Sequence, residues 1–323
     1  MAENISPRIP LSGSVINRIC LSGTESLIHA SRGILSGEND TVIVGGIELM
    51  SNSPHLNWYL RNGVQYGNCQ SKDSLIMVNY DHKTQLFKEE IIERMCHSLK
   101  ITRKNADDWA HISSLCAYQA LKKGVFEEEI VPITLRNGEK LTQDETIHPP
   151  LSHDEYALAP PLIANSDYKI LTKYNSAGPA DGGVCLALAS DKSIKINGLK
   201  PKAKIISWAN TTVKPEMYGL ASISSARLCL ERANLNKDDI DIVEIFDAST
   251  PFYHMYQNEF NFHEENINPN GGPFALGHPL SMTGLRMILS ATYELHRREQ
   301  EFAMISLCSI GGMGCTIIIK AVD

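Results

Sequence analysis

Two parts of this chain alternate short apolar runs with amphipathic segments, and this alternation restricts the possible fold more than any other feature. The run "SVINRIC" (14–20) is bounded by glycines and is typical of a buried strand. Apolar and small residues then recur at helical spacing up to Leu35, Gly37 is a suitable stop, and "DTVIVGGIELM" (40–50) indicates a second strand rich in β-branched residues. The pattern predicts an α/β fold in which helices cover both faces of a mixed sheet.

The alternation resumes after Ser176 and continues to the end of the sequence. Apolar runs predict strands here, and amphipathic runs predict helices. The short segment "GPFALGH" (272–278) fits either a short strand or a loop. The other predicted elements are strands at 182–190, 202–213, 241–247, 302–310 and 315–322, and helices at 224–235, 249–260 and 281–301.

Residues 51–155 separate these two parts and are polar, aromatic and charged. Two amphipathic segments, 88–100 and 102–124, predict a pair of helices, the second with Thr102 as its N-cap and a glycine at its end. The next segment, "VFEEEIVPITL" (125–135), returns to strand character. We therefore expect a mostly helical insertion that lies over the main α/β part.

Composition and charge argue against several classes of protein. The chain has 323 residues and a net charge of -7 without a long basic run, which argues against nucleic acid as the main partner but leaves an anionic small molecule possible. No apolar stretch is long enough to span a bilayer, and the polar N-terminus does not resemble a secretory signal, so a cytoplasmic location is expected. The eight cysteines show no C-x-x-C spacing, which argues against a disulfide framework and a metal site.

Cys20 is the first candidate for chemistry, because it ends a predicted strand and begins a predicted helix. Free N–H groups and the positive end of the helix dipole would stabilise a thiolate at such a position. The small residues Ser22 and Gly23 would let a substrate approach the backbone. The alternative is that Cys20 is an ordinary buried cysteine on a strand.

Two C-terminal segments offer possible partners for such a thiol. In "NGGPFALGHPLSMTGLR" (270–286), His278 stands between a glycine and a proline just before a long helix, and it is a candidate base for a distant cysteine. In "LCSIGGMGC" (307–315), Cys308 ends a strand and enters a glycine-rich turn that could direct N–H groups at an oxyanion. A structural histidine and a simple turn between antiparallel strands are the alternatives.

Taken together, these segments resemble the thiolase family, in the same order along nearly the whole chain. "VINRICLSG" is similar to the nucleophile segment of that family, and "NSAGPADGGVCLAL" to the stretch that leads back into its sheet. "NPNGGPFALGHPLSMTGLR" and "CSIGGMG" match its two C-terminal motifs. The resemblance implies a layered αβαβα fold with two mixed sheets.

The resemblance also defines the expected domains. Thiolases carry two strands and two helices before the nucleophile strand, and the first half-domain here is expected to lack this β-α-β-α unit, so that the chain is N-terminally shortened. Either the two strands on each side of the gap pair directly, or another chain fills it, or the product folds poorly. A truncated N-terminal half-domain is expected at 1–55 together with 176–192. A mostly helical loop domain is expected at 56–175, and a C-terminal half-domain at 193–323.

Thiolases form or cleave a carbon–carbon bond between acyl groups carried on coenzyme A. The resemblance implies that Cys20 is the nucleophile that becomes acylated, His278 the base that takes its proton, and Cys308 the acid/base for the acetyl-CoA carbanion. It implies that backbone N–H groups at Cys20 and around Gly311 bind the tetrahedral oxyanion. The substrates are CoA thioesters, and no cofactor or metal is expected.

Two departures from the family pattern affect the expected site. Thiolases have Asn or His before Glu-Ala-Phe where this chain has "FDAS" beginning at Phe246, and a phenylalanine offers no hydrogen-bond donor. Losing one oxyanion donor costs about 10²–10³ in rate, unless Asp247 or His254 replaces it. The family's His-Met-Gly motif in the loop domain is also absent. On the same resemblance Ala177, Phe246 and Met313 are expected to contact substrate, and Asp247 to support the oxyanion site.

Two functions are consistent with these observations. The first is an active acyl-CoA:acetyl-CoA C-acyltransferase that cleaves 3-ketoacyl-CoA or condenses acetyl-CoA. The spacing in "CSIGGMG" is closer to the trifunctional-enzyme β-subunit branch and favours the degradation of 3-ketoacyl-CoA. The second is a weak or inactive thiolase-like subunit that binds CoA thioesters or completes a partner. A homodimer or tetramer is expected, with a β-oxidation multienzyme partner as a further option.

Overall fold

The computed structural model describes residues 12–322. Its strands are β1 (Thr41–Leu49), β2 (His55–Leu56), β3 (Lys72–Asp73), β4 (Tyr80–Asp81), β5 (Leu86–Phe87), β6 (Ile133–Thr134), β7 (Lys140–Leu141), β8 (Asp181–Ala189), β9 (Ala203–Thr212), β10 (Ile242–Ile245), β11 (Phe302–Ser309) and β12 (Met313–Ala321). Its helices are α1 (Ser22–Leu35), α2 (Ser74–Met77), α3 (Lys88–Ser98), α4 (Arg103–Lys122), α5 (His153–Leu158), α6 (Asp191–Asn197), α7 (Leu220–Ala233), α8 (Pro251–Phe260), α9 (Pro273–Leu276) and α10 (Thr283–Arg298).

The C-terminal part forms a four-stranded sheet in the order β10-β11-β12-β9. β10 and β11 are parallel, whereas β12 is antiparallel to both of its neighbours, so this sheet is mixed. β10 and most of β11 and β12 are fully buried, as expected for strands with helices on both faces.

Helices α7 and α10 cover opposite faces of this sheet. Successive side chains of a strand point to opposite faces. On β11, Ser306 donates a hydrogen bond of 3.0 Å to the Ser222 carbonyl of α7, whereas the Leu307 side chain lies against Gly284 of α10. A Cβ on Gly284 would lie 2.5 Å from the Thr24 side chain of α1, so a glycine is needed for α1 and α10 to pack this closely.

The N-terminal part contributes a second sheet, in which β1 and β8 are paired in antiparallel orientation. Helix α1 packs on β1 and on α10. The layers are therefore the β1–β8 pair, then α1 with α10, then the four-stranded sheet, and then α7. This layered α/β arrangement agrees with the predicted fold class.

The run at 14–20, predicted to be a buried strand, is not a strand in the structure. It contains only an isolated bridge between Arg18 and Cys20, and Val15 is 98% exposed. It does not pair with β1 either, because β8 is the only partner of β1 within the described range of 12–322. An apolar pattern alone does not make a strand, since the ladder also needs a neighbour with free N–H and C=O groups.

The loop region contains α2 to α5 and three short antiparallel strand pairs. The predicted strand at 125–135 is wrong over most of its length. The N–H groups of Glu129 and Ile130 both donate to the Phe126 carbonyl at 3.0 Å, which forms a turn, and only Ile133–Thr134 pairs as a strand. The three consecutive glutamates of this segment are residues that strands disfavour.

The other predicted elements occur with their ends shifted by a few residues. Helix α4 begins after Thr102, whose hydroxyl accepts the Asn105 N–H at 3.2 Å, which confirms the predicted N-cap. Gly37 has a φ of 77° two residues after α1, as its predicted role as a stop requires. The segment 272–278 is neither strand nor loop but contains the short helix α9, whose first residue, Pro273, suits the first turn of a helix.

Candidate active site

Cys20 lies in a tight turn that leads directly into α1. The preceding residue, Ile19, has a φ of 53°, a left-handed conformation that a β-branched residue rarely adopts. Hydrogen bonds of 3.1 Å hold the turn, from Leu21 N to the Arg18 carbonyl and from Ser22 N to the Ile19 carbonyl. This geometry places Cys20 at the N-terminal end of α1, where the helix dipole favours a thiolate.

The histidine expected to act as the base lies against this thiol. Nε2 of His278 is 3.3 Å from Cys20 Sγ, although 258 residues separate the two. The other ring nitrogen, Nδ1, is 2.8 Å from Oγ1 of Thr283, the first residue of α10. We assign the Nδ1 proton to the bond with Thr283, so that Nε2 presents its lone pair to the Cys20 thiol.

Burial keeps both groups of this pair uncharged. It lowers the pKa of His278 to about 3, helped by the positive charges of Lys88 and Arg286. It also raises the pKa of Cys20, against the opposing effects of Lys88 and Ser309. The pair is therefore a thiol next to a neutral imidazole, in which the proton moves to His278 as the sulfur attacks.

Cys308, the next-to-last residue of β11, is the second buried thiol of this site. Burial raises its pKa well above that of a free thiol, and the nearby Cys20 raises it further, while Ser222 lowers it. The two thiols are thus close enough to interact electrostatically. The structure therefore brings Cys20, His278 and Cys308 together at the place where the start of α1, the end of β11 and the segment before α10 meet.

Asp247 links the loop region to the segment that carries His278. Its carboxylate accepts hydrogen bonds from Trp109 Nε1 and Ser113 Oγ on α4, each at 2.9 Å, and from the Phe274 N–H at 3.0 Å. Burial raises its pKa, and these three donors lower it in part. Asp247 therefore supports the His278 segment through acceptor contacts and is not hydrogen-bonded to Cys20.

Phe246 occupies the position beside the base. Its ring packs edge-on against the His278 imidazole, with centroids 4.8 Å apart and an interplanar angle of 73°. His254, which the sequence suggests as a replacement donor, instead has Nε2 2.8 Å from the Asn105 carbonyl of α4. Neither His254 nor Asp247 makes a hydrogen bond to the Cys20–His278 pair.

The other expected site residues lie in two nearby segments. Gly311 has a φ of 86° in the turn between β11 and β12, and Met313 follows it, paired with Ser309 across the ladder. Ala177 is held next to Asp247, because its N–H donates to the Ala248 carbonyl at 2.7 Å. These contacts fix the backbone on either side of the buried thiols.

A cavity of about 340 Å³ lies next to this site, between the loop region and the C-terminal part. Its volume is within the range of small-molecule sites, roughly 300–1,000 Å³. It reaches Gly277, which directly precedes His278, but neither Cys20 nor Cys308 lines it, and neither do Ala177, Phe246 and Met313. Its lining includes Ser176, Gly178, Phe274, Gly277, Lys173 and His148.

Three residues of this site are missed by the sequence reasoning. Thr283 orients His278, Ser309 faces the Cys20 sulfur, and Lys88 acts on both members of the pair through its charge. Thr283 stands five residues after His278, in the first turn of the helix predicted at 281–301, and this position is the only signal for it that the sequence offers. Nothing in the sequence distinguishes Ser309 or Lys88 from other polar residues.

Two general features of the described residues bear on the class of protein. No helix in residues 12–322 is both long and apolar enough to cross a membrane. Within the same range, no three His, Cys, Asp or Glu side chains are grouped so that they could hold a metal ion.

Comparison with known proteins identifies the family. Residues 5–192 match the model of the N-terminal domain of thiolases, and residues 199–321 match that of the C-terminal domain. A 3-oxoadipyl-CoA/3-oxo-5,6-dehydrosuberyl-CoA thiolase of Escherichia coli (strain K12) is 33% identical over 97% of this chain and 80% of its own length. An acetyl-CoA acetyltransferase of Cupriavidus necator is 30% identical over 94% of this chain and 78% of its own length.

Solved structures agree with these relatives. The crystal structure of human mitochondrial 3-ketoacyl-CoA thiolase superposes with a TM-score of 0.92 and 30% identity, covering 95% of this chain and 78% of that one. The acetyl-CoA acetyltransferase of Bacillus anthracis gives a TM-score of 0.91 and 31% identity. The chain belongs to the thiolase family, whose members are acyltransferases.

Proposed function

We propose that this chain is an acyl-CoA:acetyl-CoA C-acyltransferase that cleaves 3-ketoacyl-CoA, or condenses acetyl-CoA, through an acyl group carried on Cys20. The observation that carries the proposal is the 3.3 Å contact between Cys20 Sγ and His278 Nε2, with the buried thiol of Cys308 close by. One nucleophile, one base and one proton shuttle are the groups that a thiolase reaction needs.

In the cleavage direction, the Cys20 proton moves to His278 Nε2 while the sulfur attacks the 3-keto carbonyl carbon. The tetrahedral intermediate collapses, the bond between carbons 2 and 3 breaks, and its electron pair forms the carbanion of acetyl-CoA. The Cys308 thiol, whose pKa burial keeps high, donates a proton to this carbanion. The Cys308 thiolate then takes the proton of incoming CoA, whose sulfur displaces the acyl group from Cys20. The departing Cys20 thiolate recovers its proton from His278, which restores the starting state of all three groups.

Protein side chains alone carry out every proton transfer in these reaction steps, so we propose that the enzyme needs no cofactor. We propose CoA thioesters as its substrates. The relatives named above are a thiolase of 3-oxoadipyl-CoA and an acetyltransferase of acetyl-CoA, and both names support a thioester of a 3-keto acid or of acetate. The cavity described above is lined by Gly277, the residue that precedes His278, and we propose that such a substrate binds there and reaches the buried thiols past this segment.

Intact-mass spectrometry after incubation with acetyl-CoA tests the acyl-enzyme directly. We expect one acetyl adduct on the unmodified chain and none on Cys20→Ala. Cys229→Ala is the matched control, because Cys229 is another buried thiol that lies on α7 and interacts with Ser207 instead. An adduct that persists in Cys20→Ala, or its absence from the unmodified chain, would contradict the proposal. The alternative of a weak or inactive thiolase-like subunit would then remain.

We also propose that a second copy of the chain covers the outer face of β1. Three apolar side chains of this face are exposed, Ile43 by 51%, Ile47 by 57% and Leu49 by 56%, and the edge of β1 opposite β8 is open among the described residues. Contiguous exposed apolar surface of this kind marks association sites in soluble proteins. The homodimer expected from the family resemblance would bury it.

Light scattering coupled to size-exclusion chromatography checks this association. The unmodified chain should elute with at least twice the monomer mass, and Ile47→Lys should shift it to the monomer, because a buried unpaired ammonium is costly. Leu158→Lys on α5 is the control, since Leu158 is more exposed than Ile47 and lies in the loop region. A monomeric unmodified chain, or an Ile47→Lys variant of unchanged mass, would exclude this interface.

A further inference from the structure

Ser309, the last residue of β11, has a buried hydroxyl without a hydrogen-bond partner. The residue is 1% exposed, and its Oγ is the only buried side-chain hydroxyl in residues 12–322 that bonds to nothing. Buried hydroxyls are nearly always hydrogen-bonded, because burial otherwise removes their bonds to water without replacement. An exception in a closely packed site therefore calls for a functional reason.

Neighbouring hydroxyls of the same sheet show how unusual this is. Ser306 and Thr316 lie 2.7 Å apart through their hydroxyl oxygens, and Thr316 makes a second 2.7 Å contact with Ser225 on α7. This group of hydroxyls is thus satisfied within itself. Ser309, three residues further along β11, faces Cys20 instead and has no such partner.

The Ser309 hydroxyl lies beside the Cys20 sulfur and stabilises its thiolate, although the two atoms do not meet in the geometry of a normal hydrogen bond. A donor next to the nucleophilic sulfur is also close to the oxygen of the carbon that the sulfur attacks, because that oxygen and the sulfur are attached to the same atom. The Phe246 ring, which packs against His278, offers no such donor.

We propose that Ser309 is a further catalytic residue, whose hydroxyl donates a hydrogen bond to the oxyanion that forms when Cys20 attacks a thioester or keto carbonyl. The proposal rests on the acyltransferase function proposed above. In that step the sulfur–carbon bond forms, the π electron pair of the carbonyl moves to oxygen, and the thiol proton passes to His278. Ser309 exchanges no electrons and keeps its own proton, so it acts only by stabilising the negative oxygen.

Ser309→Ala removes the donor with little change in volume, and we expect kcat with acetoacetyl-CoA and CoA to fall about 10²-fold while KM changes little. Ser207→Ala is the matched control. Ser207 is a buried serine of β9 whose hydroxyl donates to the Cys229 carbonyl at 3.1 Å, on a different part of the sheet. Its loss should leave kcat within a few-fold of the unmodified enzyme.

The rate of Cys20 alkylation by iodoacetamide as a function of pH provides a second readout, which a purely structural role of Ser309 would not change. Because the hydroxyl favours the thiolate, Ser309→Ala should raise the Cys20 pKa and move the profile to higher pH. Unchanged turnover in Ser309→Ala, or reduced turnover with an unchanged profile, would overturn the proposal. If the unmodified chain itself shows no turnover, the proposed acyltransferase function is wrong. The role of Ser309 is then judged from alkylation alone, and a pH profile that is the same in Ser309→Ala and in the unmodified chain overturns it.

Discussion

His278→Asn should lower kcat for cleavage of acetoacetyl-CoA by roughly 10³–10⁴-fold, because the base that accepts the Cys20 proton is lost. Asparagine is the informative replacement, since its amide lies near the position of Nδ1 and can still bond to Thr283, whereas nothing replaces Nε2 at 3.3 Å from the sulfur. Steady-state kinetics with purified enzyme, supported by a melting curve that shows an intact fold, measures this loss.

The pH dependence of the unmodified enzyme complements this measurement. Burial lowers the pKa of His278 to about 3, so the imidazole is already a neutral base at any pH well above that value. We therefore expect no fall in kcat/KM as the pH decreases through 6.5, the ordinary pKa of histidine. A fall centred near pH 6.5 would mean that His278 is solvated and charged before substrate binds, which contradicts the buried pair.

Thr283→Val tests how much of the activity of His278 depends on the contact that orients its ring. It keeps the shape of the side chain and the Nε2 base but removes the oxygen at 2.8 Å that fixes the orientation and tautomer of the ring. Removing the partner that orients a metal-binding histidine typically costs about 10–100-fold in affinity or activity, and we expect a loss of this size for the base His278. The variant should therefore lie between the unmodified enzyme and His278→Asn, and Thr283→Ser should retain most activity.

Helices and strands whose apolar pattern is sufficient without knowledge of a distant partner can be predicted from the sequence. The buried positions of α10 recur at helical spacing and predict a helix, and the continuous β-branched run of β12 predicts a strand that is buried on both faces. The run at 14–20 has an equally apolar pattern and is still not a strand, because the described chain offers it no neighbouring strand. Strand formation depends on a partner that local pattern does not reveal.

The site follows a similar division. Local sequence features single out Cys20, His278 and Cys308 one at a time, and the resemblance to thiolases connects these three residues, which are far apart in the chain. It could not identify Ser309, because serine is common and its significance comes from the absence of a hydrogen-bond partner, which is visible only in three dimensions. Contacts that depend on what is missing around a side chain have no signature in the sequence.

Cys308→Ala should separate the two halves of the reaction more sharply than any other variant. Acylation of Cys20 by acetyl-CoA depends mainly on the sulfur and His278, because CoA can depart as a thiolate without the proton that Cys308 otherwise supplies. Making or protonating the acetyl-CoA carbanion, in contrast, requires the Cys308 acid/base. Condensation of acetyl-CoA should therefore fall by roughly 10²–10⁴-fold, while the acetyl adduct on Cys20 still forms. In deuterium oxide, the unmodified enzyme should exchange the methyl protons of acetyl-CoA, and the variant should not.

The matched control for this experiment is Cys315→Ala. Cys315 lies on β12 opposite Leu307 and is as buried as Cys308. Burial raises its pKa to about 12, whereas Thr24 and Arg18 lower it, and the Cys20 thiol does not contribute to this shift. Its loss should leave both condensation and exchange within a few-fold of the unmodified enzyme. If Cys308→Ala also retains deuterium exchange, the proton shuttle must be another group. If no acetyl adduct forms on Cys20 in Cys308→Ala, Cys308 is required for acylation as well as for the carbanion step, and the two halves of the reaction are not separated by this thiol.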